Sequence, residues 1–441
     1  MDKQTKKALL RACRPDEPVP PDDPRHYDFD IHGLRGRPWR QRVIETIQFA
    51  DGPTAQGVTG LRGSGKTTEL QQLSVELERD GHRVVLADAG AWVRDDAPIS
   101  VETIWLALVL ALHPDGRPDG LTGWLAEYAR RFWSLLQTRV QLKELSAQIG
   151  SNESGRIRLK SELTTDDTLF QRVALHLRDI NGLREQIFEL LTFAADAARS
   201  EGRPLVMLLD GIEKRATGDL HGPEEREKYR SHWFSAFLTR APDLRLPMHV
   251  VYTVPSFMIR RAAEFGIAFG QPLEFLPMVR VWGRERSDAG VIVDAKGVIA
   301  MREALLQRLP AECFADVRLV DWLVLHSGGF MRDLLRMATE CIYACRRAGD
   351  VITRDVADAA ITQVRQTYFE DSSGAMRAAP RGTGEARLSA RHEQRARDGP
   401  TAAIAYDDAI PQLALLVWRP PCCGSGSAST GSSGSDTSRD E

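Results

Sequence analysis

The chain has 441 residues, 42% of them hydrophobic and 27% charged, the balance of an ordinary globular protein with room for one large domain and a smaller one. A formal net charge of −3 gives no global electrostatic case for nucleic acid or an anionic membrane, and leaves only a local basic face for either. The longest apolar run, 104–112, is far short of the roughly 20 residues that span a bilayer, so no membrane segment is expected.

Residues 1–28 read as a flexible leader, because Pro15, Pro18, Pro20, Pro21 and Pro24 oppose regular structure. The opening Met-Asp-Lys-Gln-Thr-Lys-Lys has no secretory pattern, and the six scattered cysteines suit a reducing cytoplasm. Between residues 27 and 50 an entry segment leads to an amphipathic helix carrying Val43, Ile44 and Ile47. A short strand is expected at 56–60. A helix is expected at 68–80, with Leu70, Leu73 and Leu77 on one face and Gly81 closing it.

Between that strand and helix stands Gly-Leu-Arg-Gly-Ser-Gly-Lys-Thr, residues 60–67, a complete phosphate-binding loop of the G-x-x-x-x-G-K-[ST] type. Its glycines let successive backbone N–H groups turn inward as an anion nest, and the following helix points its positive end at the same spot. Lys66 is placed to reach the outer phosphates and Thr67 to ligate Mg²⁺. The expected nucleotide-binding set is Gly60, Arg62, Gly63, Ser64, Gly65, Lys66, Thr67 and Thr68.

A second strand is expected over Arg83–Asp88, then helical patterns at 101–112, 124–147 and 168–200, the last two separated by a polar loop at 150–165. The inserted helices, about 124–200, either cover the sheet and each other or form a hairpin for a partner. Leu205–Asp210 is a continuous apolar run, as a central parallel strand requires. Asp210, at its carboxyl end, can hold Mg²⁺ through water beside the Thr67 hydroxyl. Hydrolysis also needs a carboxylate that polarises water. Gly211 stands where many ATPases carry that acid. The nearest is Glu213, which either serves or pairs with Lys214 at the surface. Further strands are expected at 248–253, ending on Thr253, and within 273–281; the Thr253 hydroxyl would face the γ-phosphate or the attacking water.

Alternating strands and helices indicate a doubly wound α/β domain over 29–282. A Gly- and Asp-containing linker follows, then an all-helical region at 297–370, in which Cys341 and Cys345 read as core thiols. Residues 371–441 are expected to be largely disordered, with one apolar run at 410–418 whose role stays open.

The ordered set of phosphate loop, long insert, Leu-Leu-Asp-Gly-Ile-Glu-Lys and Val-Val-Tyr-Thr-Val-Pro resembles the AAA+ and STAND class of P-loop ATPases, bacterial relatives of the origin-recognition and STAND branches in particular. Ile-His-Gly-Leu-Arg-Gly-Arg at 31–37 matches that class's segment near the adenine, which would place Gly36 and Arg37 there. Ser-Gly-Gly-Phe-Met-Arg-Asp at 327–333 resembles the second sensor of a helical lid, which would bring Arg332 to the γ-phosphate. The resemblance implies an ATP- and Mg²⁺-dependent switch that assembles on ATP and acts on a separate partner or effector chain, in a regulatory or defence setting. Its trans-acting arginine is not fixed, Arg260 and Arg261 being only suitably placed. An ATP-dependent DNA-associated helper and a nucleotide-gated scaffold with little hydrolysis remain as other readings.

Overall fold

The computed structural model describes residues 2–30, 33–36, 38–91, 99–112, 127–128, 130–131, 183–213, 222–287, 290–347 and 349–377. Most of the expected 124–200 insert, the tail beyond 377 and the 410–418 run lie outside them, as does Arg37.

Five parallel strands, β1 (Ala55–Gly60), β2 (Arg83–Asp88), β3 (Leu205–Asp210), β4 (His249–Val254) and β5 (Leu273–Leu276), form one sheet in the order β2-β3-β4-β1-β5. The expected strands appear within a residue or two, and the fifth is confined to the first four residues of 273–281. Strand β3 shows why a continuous apolar run was needed. Leu205, Met207 and Leu209 point into one core and Val206 and Leu208 into another, so both faces are covered.

On one face lie helices α2 (Trp39–Gln48) and α3 (Lys66–Arg79), whose Val43, Ile47, Leu70, Leu73 and Leu77 are buried against the sheet. The other face packs on α4 (Val101–Leu112), α5 (Leu183–Ser200) and α6 (Pro223–Phe234), with Trp105, Leu191 and Trp233 in the core. Helix α7 (Ala262–Phe269) joins that face through Phe265 and Phe269, stacked 4.3 Å apart. The fold is therefore a doubly wound parallel sheet, and all its strand carboxyl ends share one rim.

A third core belongs to the helical region, built from α8 (Ala295–Leu306), α9 (Arg318–Ser327), α10 (Met331–Ala344) and α11 (Arg354–Arg377). The linker before α8 carries an antiparallel hairpin, β6 (Trp282–Ser287) and β7 (Gly290–Val293). The leader, expected to be flexible, is not wholly so. Lys3–Ala12 forms helix α1, capped by the Asp2 carboxylate on the N–H groups of Gln4 and Thr5. The prolines begin only after this helix, and its Leu9, with Cys13 just beyond, is buried in the helical region's core. Lys6 Nζ donates to the carbonyls of Tyr343 and Cys345, at 3.1 and 2.9 Å, which fastens α1 across the end of α10.

Candidate nucleotide site at the strand carboxyl ends

Loop 60–67 leaves β1 and enters α3 through Gly65, whose left-handed backbone caps the helix. Gly63 also has positive φ, +85°, and a Cβ there would stand 3.0 Å from Arg332 Cβ, so only glycine lets Arg332 lie on the loop. Ser64 is buried and its hydroxyl has no hydrogen-bond partner among the described residues, while Arg62 is exposed. Lys66 Nζ folds back to donate to the carbonyls of Gly60 and Leu61, at 2.9 and 3.4 Å. Thr68 Oγ1 accepts from the Val19 N–H at 3.4 Å, which brings the leader to the start of α3.

The neighbouring strands deliver the polar groups. Thr67 Oγ1 donates to Asp210 Oδ2 at 2.6 Å. Two adjacent positions of an octahedral Mg²⁺ with ~2.1 Å bonds lie ~3 Å apart, so this hard-oxygen pair suits that ion. Glu213, two residues beyond the expected acid position, turns inward: its Oε1 stands 3.4 Å from Lys66 Nζ and its Oε2 accepts from Thr253 Oγ1 at 2.5 Å. With its side chain 8% exposed, it lies buried between the loop and β4 and not at the surface. Thr253, fully buried, also accepts from the Gly211 N–H at 3.1 Å, tying β4 to the turn after β3.

Gly211 is accounted for by the next strand. Asp88 ends β2 in register with Asp210, and a Cβ on Gly211, whose φ is +83°, would overlap Asp88 Oδ1. The space an acid at 211 would enter is occupied by a carboxylate from β2, which is itself held by the Gly90 N–H at 3.0 Å.

Arg332 comes from the first turn of α10, and its Nη2 stands 3.3 Å from Asp16 Oδ1 of the leader. Arg261, one of the two candidate trans-acting arginines, is tied to Glu264 in the first turn of α7.

The segment before the loop is read differently by the structure. The Cβ position of Gly36 faces open space, whereas Arg35, one residue earlier, is buried: Nη2 donates to Ser64 O at 3.1 Å and Nη1 to Glu69 Oε1 at 2.6 Å. Arg40 is buried beside it, shared among Asp28 (2.5 Å), Glu69 (3.3 Å), Asp30 (3.6 Å) and Glu76 (3.7 Å). Burial, aided by the Glu69 carboxylate, pushes the Asp30 carboxyl up to about 6. Neither arginine was singled out from sequence; a run with four arginines between 35 and 42 was the available signal.

No protein-family model matches the chain, and no curated protein matches it. Among solved structures it is similar to the Walker-type ATPase PABY2304 of Pyrococcus abyssi, at 13% identity and a TM-score of 0.41, covering 87% of this chain and 81% of that one. It is also similar to the Aeropyrum pernix ORC2 protein in its ADPNP–ADP complexes, at 12% identity and a TM-score of 0.39, over 92% of this chain and 89% of that one. The ADP form of ORC2 gives 12% identity and a TM-score of 0.40, over 92% and 97%. At such identities and scores these likenesses say nothing of what this chain binds.

Proposed function

We propose that the chain binds ATP with Mg²⁺ at the 60–67 loop and hydrolyses its β-γ phosphoanhydride. The observation that carries this reading is the convergence of Lys66 and Thr67 from the loop, Asp210 and Glu213 from the end of β3, and Thr253 from β4, into two neighbouring sets of contacts, Thr67–Asp210 and Lys66–Glu213–Thr253, none longer than 3.4 Å. A structural role alone does not call for a buried lysine, two carboxylates and two hydroxyls at the mouth of an anion nest.

In this reading the loop N–H groups and Lys66 hold the phosphates, and Thr67 and Asp210 would hold the metal, which would supply charge neutralisation when bound. Lys66 exchanges the Gly60 and Leu61 carbonyls and Glu213 for phosphate. Glu213, released from Lys66 but still held by Thr253, then accepts the proton of the attacking water. Arg332 exchanges Asp16 for the γ-phosphate, so the lid and leader respond to whether that phosphate is present. The fuller proposal, on the AAA+/STAND resemblance, is a switch that assembles on ATP and regulates a separate effector, in a conflict or defence setting.

The test is phosphate release by the full chain with Mg²⁺ and ATP, beside Lys66→Ala. Turnover is expected in the parent and none above background in the variant. Release from both proteins alike, or from neither, rejects the hydrolytic claim, and calorimetry with a slowly hydrolysed analogue tests binding separately.

A further inference from the structure

We infer that Arg35 is a positioning residue for the phosphate loop, a buried guanidinium that orients the Ser64–Gly65 peptide and cancels the Glu69 carboxylate beside the phosphate seat. The inference rests on the nucleotide reading of that loop and adds what keeps the loop ready to bind.

The first observation is directional. In a trans peptide the C=O and the next N–H point to opposite sides. Arg35 Nη2 holds the Ser64 carbonyl at 3.1 Å, so the Gly65 N–H is turned away from Arg35. An anion nest needs its N–H groups inward and its carbonyls outward. Without a partner for that carbonyl, the peptide is free to present its negative end to the phosphates. Only the fraction of loops in the correct state then binds, and apparent affinity falls by that fraction.

The second observation is electrostatic. Glu69 lies in the first turn of α3, where its charge favours the helix dipole but competes with phosphate for the same positive end. It is only 2% exposed, so water screens it little. Arg40 also faces it, but is divided among four carboxylates. Arg35 has Glu69 as its one ion-pair partner among the described residues, at 2.6 Å, and is the cation that offsets it. The guanidinium is held in place by the Phe29 ring, 4.8 Å from its carbon to the ring centroid. A fork that must meet a carbonyl and a carboxylate together suits Arg and not Lys.

The test uses calorimetric titration of the full chain with a slowly hydrolysed ATP analogue and Mg²⁺, which returns stoichiometry and Kd independently. Arg35→Lys is expected to keep one site per chain and to weaken binding about tenfold or more, the scale of a lost charge-assisted bond. Its turnover at saturating ATP should stay within about threefold, since the residue positions the loop and does not touch the reacting atoms. Arg35→Gln should bind more weakly still, and adding Glu69→Gln to it should recover part of the lost affinity at one site per chain throughout, which separates a change in the charge at the phosphate seat from a change in the folded fraction. Should Arg35→Lys bind as tightly as the parent, or lose stoichiometry at unchanged Kd, or should the double variant show no recovery over Arg35→Gln, the inference is overturned. A parent chain that fails to bind the analogue overturns the nucleotide reading itself, and this inference with it.

Discussion

At the scale of single residues, the contacts of Glu213 suit it to the base role proposed above. A carboxylate that accepts from Thr253 at 2.5 Å and faces Lys66 at 3.4 Å is held on both oxygens before any nucleotide arrives. Glu213→Gln keeps the shape and removes the base. Turnover should therefore fall about a hundredfold or more, the range of a lost general base, while the Kd for ATP changes less than about threefold. Single-turnover phosphate release alongside equilibrium binding checks it, and equal loss in both would show that Glu213 only shapes the loop. The role of Glu213 was half legible in the sequence. Its distance from Asp210 was plain, but whether it turned toward Lys214 or the loop depended on the backbone after β3, which Gly211 and Asp88 decide together. The burial of Arg35 was not legible, since nothing local distinguishes it from the arginines at 37, 40 and 42.

Among elements, the helix α10 and the leader form a pair. Arg332 rides on the first turn of α10 and lies over Gly63, while α1, fastened to the far end of the same helix by Lys6, sends the chain back so that Asp16 meets Arg332. The leader carboxylate thus stands where the proposed reading puts a phosphate oxygen. Arg332→Ala should reduce the preference for ATP over ADP about tenfold, as expected for one charge-assisted contact. Asp16→Asn should change that preference in the opposite direction by less, because Asp16 is largely exposed and its pair is weak. Competition binding with both nucleotides measures each, and an unchanged ratio in Arg332→Ala would remove the sensor role. The strands of the sheet were legible because a strand buried on both faces leaves an uninterrupted apolar run. Helix α1 was not, because only Leu9 and Cys13 of this segment are buried and both reach a core made 300 residues later.

For the whole molecule, buried titratable groups in different cores set how stability varies with pH. Burial lowers His249, at the start of β4, and His326, in α9, each to about 4. A base whose folded value is depressed takes up its proton more readily when unfolded, so both contribute stability above about 6.5 that is lost as pH falls toward 4. Asp30 acts in the other direction. Raised to about 6, it holds a proton in the folded chain that the unfolded chain releases, and so it costs stability as pH rises through the same window. Asp30→Asn should be more stable than the parent at pH 8 and should lose stability more steeply between pH 6 and 4. Thermal midpoints across that range check it, and parallel curves would show that Asp30 carries no such burden.

The attachment of α1 to α10 also orders the chain's manufacture. Lys6 and Cys345 meet across 339 positions, so the helix at Lys3–Ala12 waits for almost the whole described chain to be synthesised. At ~5–20 residues per second that interval is roughly 20 to 70 seconds. During it the phosphate loop is already on the ribosome's exterior while Arg332 is not yet translated and Asp16 has nothing to hold. A nascent chain therefore presents the loop long before Arg332 can lie over it, and on the proposed reading the phosphate-sensing contact arrives only with α10, among the last of the described helices.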